Sequence, residues 1–456
     1  MTNSPATLSP PARTTAPGAL PGLALSVLLS SFGASSANVA LPTLQRAFGA
    51  SFAAVQWIVL AYLLAATAAA VGAGRLGDAI GRRRVLLAGI ALFAAASGAC
   101  AVAPTLPLLV AARALQGLGA AVMLALGMAL AAGQLQGRTG RAMGLLGSMS
   151  AVGTALGPAL GGLLLAGPGW RAVFAAMLPG AVLAFALVRR LPDDDAVRSG
   201  GPFDVTGLLL LVGALLAFAL AATGTGARWW YAISALCTAA FMRTEARTRT
   251  PLVPLALLRD RVTATGFATS ALTMALMMTT MLVGPFYLGR ALGLGAGGVG
   301  LALAVGPLVA ALAGVPSGRL VDRHGARRTG MAGLAAMALG AGLVAVAPRA
   351  AGVTGWIAPL AVLTAGYALF QAANNTAVLE AAGIDRRGVA AGLLNLARQL
   401  GLIGGSALLG AVFAAGAPDP AHAAAADVAE ATQATFALAV LLPLLGLGAA
   451  WRQRAQ

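Results

Sequence analysis

From residue 20 to residue 451 the chain is a succession of apolar runs, each about as long as a bilayer is thick, punctuated by short knots of arginine. About 20 apolar residues span the hydrocarbon core as a helix. Composition agrees: 59% of residues are hydrophobic, 9% are charged and mean hydropathy is +0.86, against about 25% charged in a soluble domain. The sequence therefore predicts an all-α polytopic membrane protein and excludes a large soluble fold.

Charge excludes further classes. There is no lysine: all thirty basic residues are arginine, against thirteen acids, for a net charge of +17 and a pI near 11.7. A nucleic-acid reader gathers such charge on one wettable face. Here the arginines sit between apolar stretches, so the expected partner is the lipid bilayer, with no nucleic acid. Two cysteines (Cys100, Cys237) lie in apolar runs and two histidines (His324, His422) lie in loops. That supports no disulfide framework, no metal cage and no cofactor.

Fourteen spans fit the runs. The arginine knots at 82–84, 138/141, 189–198, 243–261, 323–328 and 386–387 follow spans 2, 4, 6, 8, 10 and 12. The alternate loops carry only Arg46, Arg171, Arg228, Arg290 and Arg349. Positive loops mark the cytoplasmic side, so both termini are expected there. An even number of spans must separate the basic loops near 190 and 250. The short run 229–242 is thus predicted to return across the membrane after 205–223. The expected organisation is a disordered cytoplasmic tail (1–19), a six-helix bundle (20–190), a linker with two extra spans (191–262), a second six-helix bundle (263–451) and a tail (452–456). Arg13 and the apolar run after it imitate a signal peptide; the parity predicts a retained first span instead. Residues 416–431, with Asp419, His422, Asp427 and Glu430, are expected as an external loop.

One cytoplasmic signature occurs twice. Gly74, Asp78, Gly81, Arg82 and Arg83 follow span 2, and Gly318, Asp322, Gly325 and Arg327 follow span 10 with the same spacing. Glycine permits a tight helix–helix turn by adopting positive φ, and the aspartate can meet a helix N-terminus or an arginine of a neighbouring helix. Span 4 carries Arg113-Ala114-Leu115-Gln116-Gly117, with the arginine mid-span, where a charge costs at least about 2.5–3.5 kcal/mol. Such residues usually face a pathway, and Arg113 is expected to face a cavity. Span 5 places Gly153, Gly157, Gly161 and Gly162 on one face beside Pro158, a pattern for close helix contact and a bend. Gln371, Asn374, Asn375 and Asn395 fall within spans 12 and 13, suited equally to cavity lining and to helix–helix glue.

The duplicated signature resembles the loop motif of the major facilitator superfamily. The Arg113 and Gly157-Pro158 segments are similar to that superfamily's intramembrane arginine and antiporter motifs. Asn38-Val39-Ala40-Leu41-Pro42, Trp57 with Tyr62, Gly169-Trp170-Arg171 and Arg398-Gln399-Leu400-Gly401 follow in order. With fourteen spans, the set resembles the drug:proton antiporter branch over about residues 20–451. The resemblance implies two inverted-repeat bundles plus two extra spans. It implies a substrate and coupling pathway through Asn38, Arg113, Gln116, Gln371, Asn374, Asn375, Asn395 and Arg398, and gating at the duplicated loops. The implied function is export of small amphipathic molecules from the cytoplasm across the plasma membrane, with protons as the coupling partner and the chain acting as a monomer. The Arg-only, Ala- and Gly-rich composition is associated with high-GC bacteria.

One position departs from the pattern. The family's first-span aspartate, five residues before Asn38, is Gly33 here, and Asp78 is the first acid in the chain. A proton-coupled carrier needs a titratable group in its pathway; a proton-independent facilitator or importer of the same fold does not. With no acid beside it, Arg113 is expected to disfavour cationic substrates and leave neutral or anionic ones preferred. An embedded enzyme would need paired carboxylates, or histidine with serine or cysteine, at membrane depth. No such set exists, and no enzymatic activity is expected.

Overall fold

The computed structural model describes residues 19–134, 139–192, 204–224, 229–248, 255–347, 349–383 and 386–452. The expected N-terminal tail up to residue 18, the last four residues and parts of the 191–262 linker lie outside the described residues. Among those described there is helix and no strand. The first group of helices is α1 (Ala19–Phe48), α2 (Phe52–Ile80), α3 (Arg82–Val102), α4 (Leu106–Gln134), α5 (Thr139–Ala166), and α6 (Trp170–Ala175) with α7 (Met177–Val188), which form one span. Next come α8 (Val205–Ala222), α9 (Trp229–Glu245) and the short α10 (Leu255–Arg259). The second group is α11 (Arg261–Phe286), α12 (Ala296–His324), α13 (Ala326–Val346), α14 (Thr354–Ala381), α15 (Arg387–Gly404), α16 (Gly410–Gly416), α17 (Ala425–Ala439) and α18 (Leu441–Arg452). Single π turns lie at Tyr287–Ala291 and Gly405–Leu409.

Among the described residues, 13 segments are long and apolar enough to cross a membrane. The fourteenth expected span is α9, with 17 residues, or about 26 Å at 1.5 Å per residue. It packs along α8, where Ser234 donates to the Ala214 carbonyl, and much of its remaining apolar surface is exposed. Trp229 and Trp230 stack at its start, 4.4 Å apart, a residue type that favours the membrane–water interface.

Lipid offers no hydrophobic force between helices, so small residues and close packing decide the contacts. The two groups use the same device. In the first, a Cβ on Gly119 would meet the Gly89 carbonyl at 2.7 Å where α4 crosses α3. In the second, a Cβ on Gly333 would meet the Gly366 carbonyl at 2.7 Å where α13 crosses α14. Gly89 and Gly333 sit at the same offset from Gly81 and Gly325, so the internal repeat extends beyond the loop signature into the packing.

The expected external loop at 416–431 is corrected at its C-terminal side: α17 begins at Ala425 and takes in Asp427 and Glu430. Alanine and glutamate favour helix, and Asp427 in the first turn complements the positive end of the helix dipole.

The two groups meet at the end of the bundle opposite the termini. There Phe52 of α2 lies 5.3 Å, ring to ring, from both Phe286 and Phe413. Gln56 donates to the Ser406 carbonyl, and Gln45 donates to Asp419 at 2.9 Å.

Candidate transport pathway

Among the described residues Arg113 is the most enclosed charge, with 0% of its surface exposed. Its Nε donates to the Ile58 carbonyl of α2 at 3.0 Å, and its Nη1 donates to the Gly33 carbonyl of α1 at 3.0 Å and to Gln116 Oε1. The guanidinium lies over the Tyr62 ring, 4.2 Å from its centroid, a cation–π contact that gains strength when desolvated. Gln116 passes the network on, donating to Ser97 Oγ at 2.7 Å and contacting the Met177 sulfur. The expectation that Arg113 faces a cavity is therefore corrected. Oxygen ligands from three helices and an aromatic face satisfy the charge inside the packed first group. One nitrogen, Nη2, has no hydrogen-bond partner. Asn38 is buried nearby on α1: its amide nitrogen bonds the Ala34 and Ser35 carbonyls of its own helix, and its Oδ1 has no partner.

In the second group the polar residues split. Asn374 donates to the Gly266 carbonyl at 3.0 Å and to Ser270 Oγ at 2.8 Å, tying α14 to α11. It also lines a cavity of about 390 Å³ between α11, α13, α14 and α18, together with Arg327 and Glu380. Asn375, the next residue, points elsewhere and accepts from Arg398 Nη2 of α15 at 2.5 Å. Gln371 is half-buried one turn before Asn375, and Asn395 and Arg398 are half-buried on α15. The structure thus brings Asn375 and Arg398 together and assigns Asn374 to a different contact.

The duplicated loops are tighter than the sequence predicts. Helix α2 runs through Gly74 and Asp78, and the chain turns only at Gly81, with φ 111°; Gly325 does the same with φ 80°. Asp78 pairs with Arg82 across the first turn at 2.9 Å, both side chains partly exposed. In the second copy Ala326 stands where Arg82 would be, and Asp322 is exposed. What the copies share is the next arginine. Arg83 donates to the Arg189 carbonyl after α7, and Arg327 donates to the Ala450 carbonyl in α18. Each arginine meets the carbonyl-rich end of the last span in its own group, where a cation is favoured.

Helix α5 touches two partners through glycine. A Cβ on Gly157 would run into Ser35 Oγ and the Ser36 backbone, and one on Gly161 would meet Val39 at 2.9 Å; Gly153 abuts the Leu28 carbonyl. These three face α1. Gly162 faces α12 instead, where a Cβ would lie 2.6 Å from the Ala296 carbonyl, and the Pro158 carbonyl abuts Gly300. The same short stretch therefore seals α5 inside its group and against the other group. Sequence reasoning missed the aromatic and glutamine contacts that complete this closure (Phe52, Gln56, Phe286, Phe413, and Gln45 with Asp419). Isolated residues of these types carry no spacing that marks them.

The family model of the Major Facilitator Superfamily matches residues 23–406 and 265–455. Multidrug resistance protein Stp of Mycobacterium tuberculosis is 31% identical over 388 residues, 83% of this chain and 72% of that protein. The tetracenomycin C resistance and export protein of Streptomyces glaucescens is 31% identical over 409 residues, 86% of this chain and 75% of that one. Among solved structures, a bacterial homologue of the human lysosomal transporter Spinster, inward-facing and unoccupied, superposes with a TM-score of 0.72 at 15% identity, covering 96% of this chain and 97% of that one.

Proposed function

The chain belongs to the Major Facilitator Superfamily, and from that premise we propose that it exports small amphipathic molecules across the plasma membrane by alternating access. In this reading the first and second groups are six-helix halves built as repeats, α8 and α9 complete fourteen spans, both termini are cytoplasmic and a single chain suffices. The halves rock about a site between them. The observation that carries the proposal is the double contact of α5. Bare glycine surfaces press it against α1 and, at Gly162, against α12 at the end opposite the termini. A seam with no side chains between the backbones can open and reform without repacking. Closure at that end is what a carrier open toward the cytoplasm requires. The export function printed in the name of the tetracenomycin C relative supports the direction.

Proton antiport is the driving force the motif resemblance favours. A second reading, proton-independent transport, is favoured by one observation: the Gly33 carbonyl binds Arg113 where the family pattern places an acid. Everted vesicles given a fluorescent amphipath in the external medium, with and without an imposed pH gradient, decide between them. Uptake that collapses with the gradient supports antiport, and uptake indifferent to it supports the second reading. No accumulation of any amphipath under either condition rejects export.

A further inference from the structure

Two arginines sit at membrane depth, one in each group; Arg113 is fully buried and makes three hydrogen bonds inside the first group. Arg398 lies in the interior of α15, is half-buried, and makes one hydrogen bond, from Nη2 to Asn375 Oδ1 at 2.5 Å. A guanidinium has five donors, so most of its capacity is left open. Among the described residues no carboxylate pairs with it. The described residues have little to offer: their nine acids lie in loops or near helix ends, none in the middle of a span.

The surface of α15 shows where Arg398 points. Ala390, Leu393, Leu394 and Ala397 are buried, and Gly401 presses on the Ala271 carbonyl of α11. Arg398, Asn395 and Gln399 lie off that buried face, Arg398 on its flank, and are half-buried. A polar stripe at this depth cannot face lipid without a large cost, and intramembrane charges of this kind face the bundle interior or a water-filled cavity. On α14, Gln371 and Asn375 are one turn apart and share a face, so the amide groups and the guanidinium form one polar wall.

We infer that Arg398, oriented by Asn375, is the docking point for an anionic head group, and that the molecules carried are amphipathic anions: carboxylates, sulfonates or ionised phenols with an apolar body. The inference rests on the transporter reading for its physiological meaning, while the site itself can be tested by binding alone. It also bears on the missing acid. A monoanion leaving a cell whose interior is negative is driven outward by the membrane potential itself, so its export needs no proton acceptor in the pathway.

A matched pair of dyes tests the site. 1-Anilinonaphthalene-8-sulfonate and N-phenyl-1-naphthylamine share an aromatic body and differ by the sulfonate. Titrated against the protein in phosphatidylcholine nanodiscs, the sulfonate is expected to bind at least about tenfold more tightly, as a charge-assisted bond in a low-dielectric cavity implies. Arg398→Gln should abolish that preference and leave the neutral dye within about twofold of the wild type. Arg398→Lys, which keeps a charge but not the fork, should retain part of it. Equal affinity of the wild type for both dyes, or unchanged sulfonate binding in folded Arg398→Gln, overturns the inference. If Arg398→Gln does not fold, Asn375→Leu replaces it: a loss of sulfonate preference supports the site, and no change overturns it. Sulfonate that binds through Arg398 but is never accumulated by everted vesicles rejects the export reading and leaves the anion site standing.

Discussion

The guanidinium of Arg113 donates to the main-chain carbonyl of Gly33 at 3.0 Å, so the residue that replaces the expected acid holds the arginine with its backbone. A carbonyl ligates a guanidinium without neutralising it. The positive charge therefore persists in the first group, sealed among α1, α2 and α4.

Gly33→Asp should restore neutrality. A Cβ there lies 3.1 Å from the edge of the Phe93 ring and 3.7 Å from the Tyr62 hydroxyl. Phe93 must yield by a few tenths of an ångström, after which the carboxylate is next to Arg113. Two unit charges about 8 Å apart at an effective dielectric of about 20 interact by about 2 kcal/mol, roughly thirtyfold in affinity. Ethidium efflux is expected to rise relative to that of a neutral dye, by up to that factor, and to become sensitive to the pH gradient. Unchanged ethidium transport in a folded variant would show that the field of Arg113 does not reach the substrate.

Asp78 and Asp322 occupy equivalent positions with different surroundings, and they should respond differently. Asp78 bridges the Gly81 turn to Arg82, a partly exposed pair worth at most about 0.5 kcal/mol of stability. Its expected value to transport lies in a contact that differs between access states. Asp78→Asn should insert and melt like the wild type while transport falls steeply. Asp322→Asn, with Ala326 in place of the partner arginine, should transport nearly normally. Initial rates in everted vesicles, normalised to inserted protein, check both; equal loss in the two variants would refute the asymmetry.

Thirteen spans were legible because apolar length is summed over many residues, and the loop signature because it is written twice. Gly153, Gly157 and Gly161 were readable for a related reason: four-residue spacing places them on one face, and that face does press on α1. The surroundings of Arg113 were not readable. Its ligands are the carbonyls of Gly33 and Ile58 and the ring of Tyr62. Main-chain oxygens carry no residue code, and every helix supplies them. The separation of Asn374 from Asn375 was equally hidden. Adjacent residues on a helix point about 100° apart, and only the placement of α11 and α15 decides which one meets which neighbour.

Gly157→Leu should lock the α1–α5 seam. Its Cβ alone would collide with Ser35 Oγ and the Ser36 backbone, and a backbone collision is not relieved by a rotamer change. Overpacking of this kind costs about 1–3 kcal/mol or more, so a lower melting temperature and complete loss of turnover are expected. Gly147→Leu on the same helix is the control, since nothing lies within 4 Å of a Cβ there. Turnover in Gly157→Leu equal to that in Gly147→Leu would show the glycine spacing to be incidental.

Arg113 itself separates a structural role from a transport role through two unequal replacements. Lysine keeps the charge but cannot lie flat on Tyr62 or reach the Ile58 carbonyl, the Gly33 carbonyl and Gln116 as one planar fork. Its ammonium is also more strongly hydrated, so a dry site penalises it further. Each lost bond to a charged group is worth about 1.5–3 kcal/mol, and Arg113→Lys should melt well below the wild type. Methionine fills a similar volume and removes the buried charge. The Gly33 and Ile58 carbonyls then keep the bonds of their own helices, and the chief orphan is Gln116 Oε1. Replacing a buried charge by a well-packed apolar side chain is often nearly neutral, so Arg113→Met should be more stable than Arg113→Lys. It is nevertheless expected to fail to transport, because Arg113 ties α4 to both α1 and α2. Thermal unfolding and vesicle uptake on the same preparations read both effects. A Met variant that transports like the wild type would reduce Arg113 to a packing element.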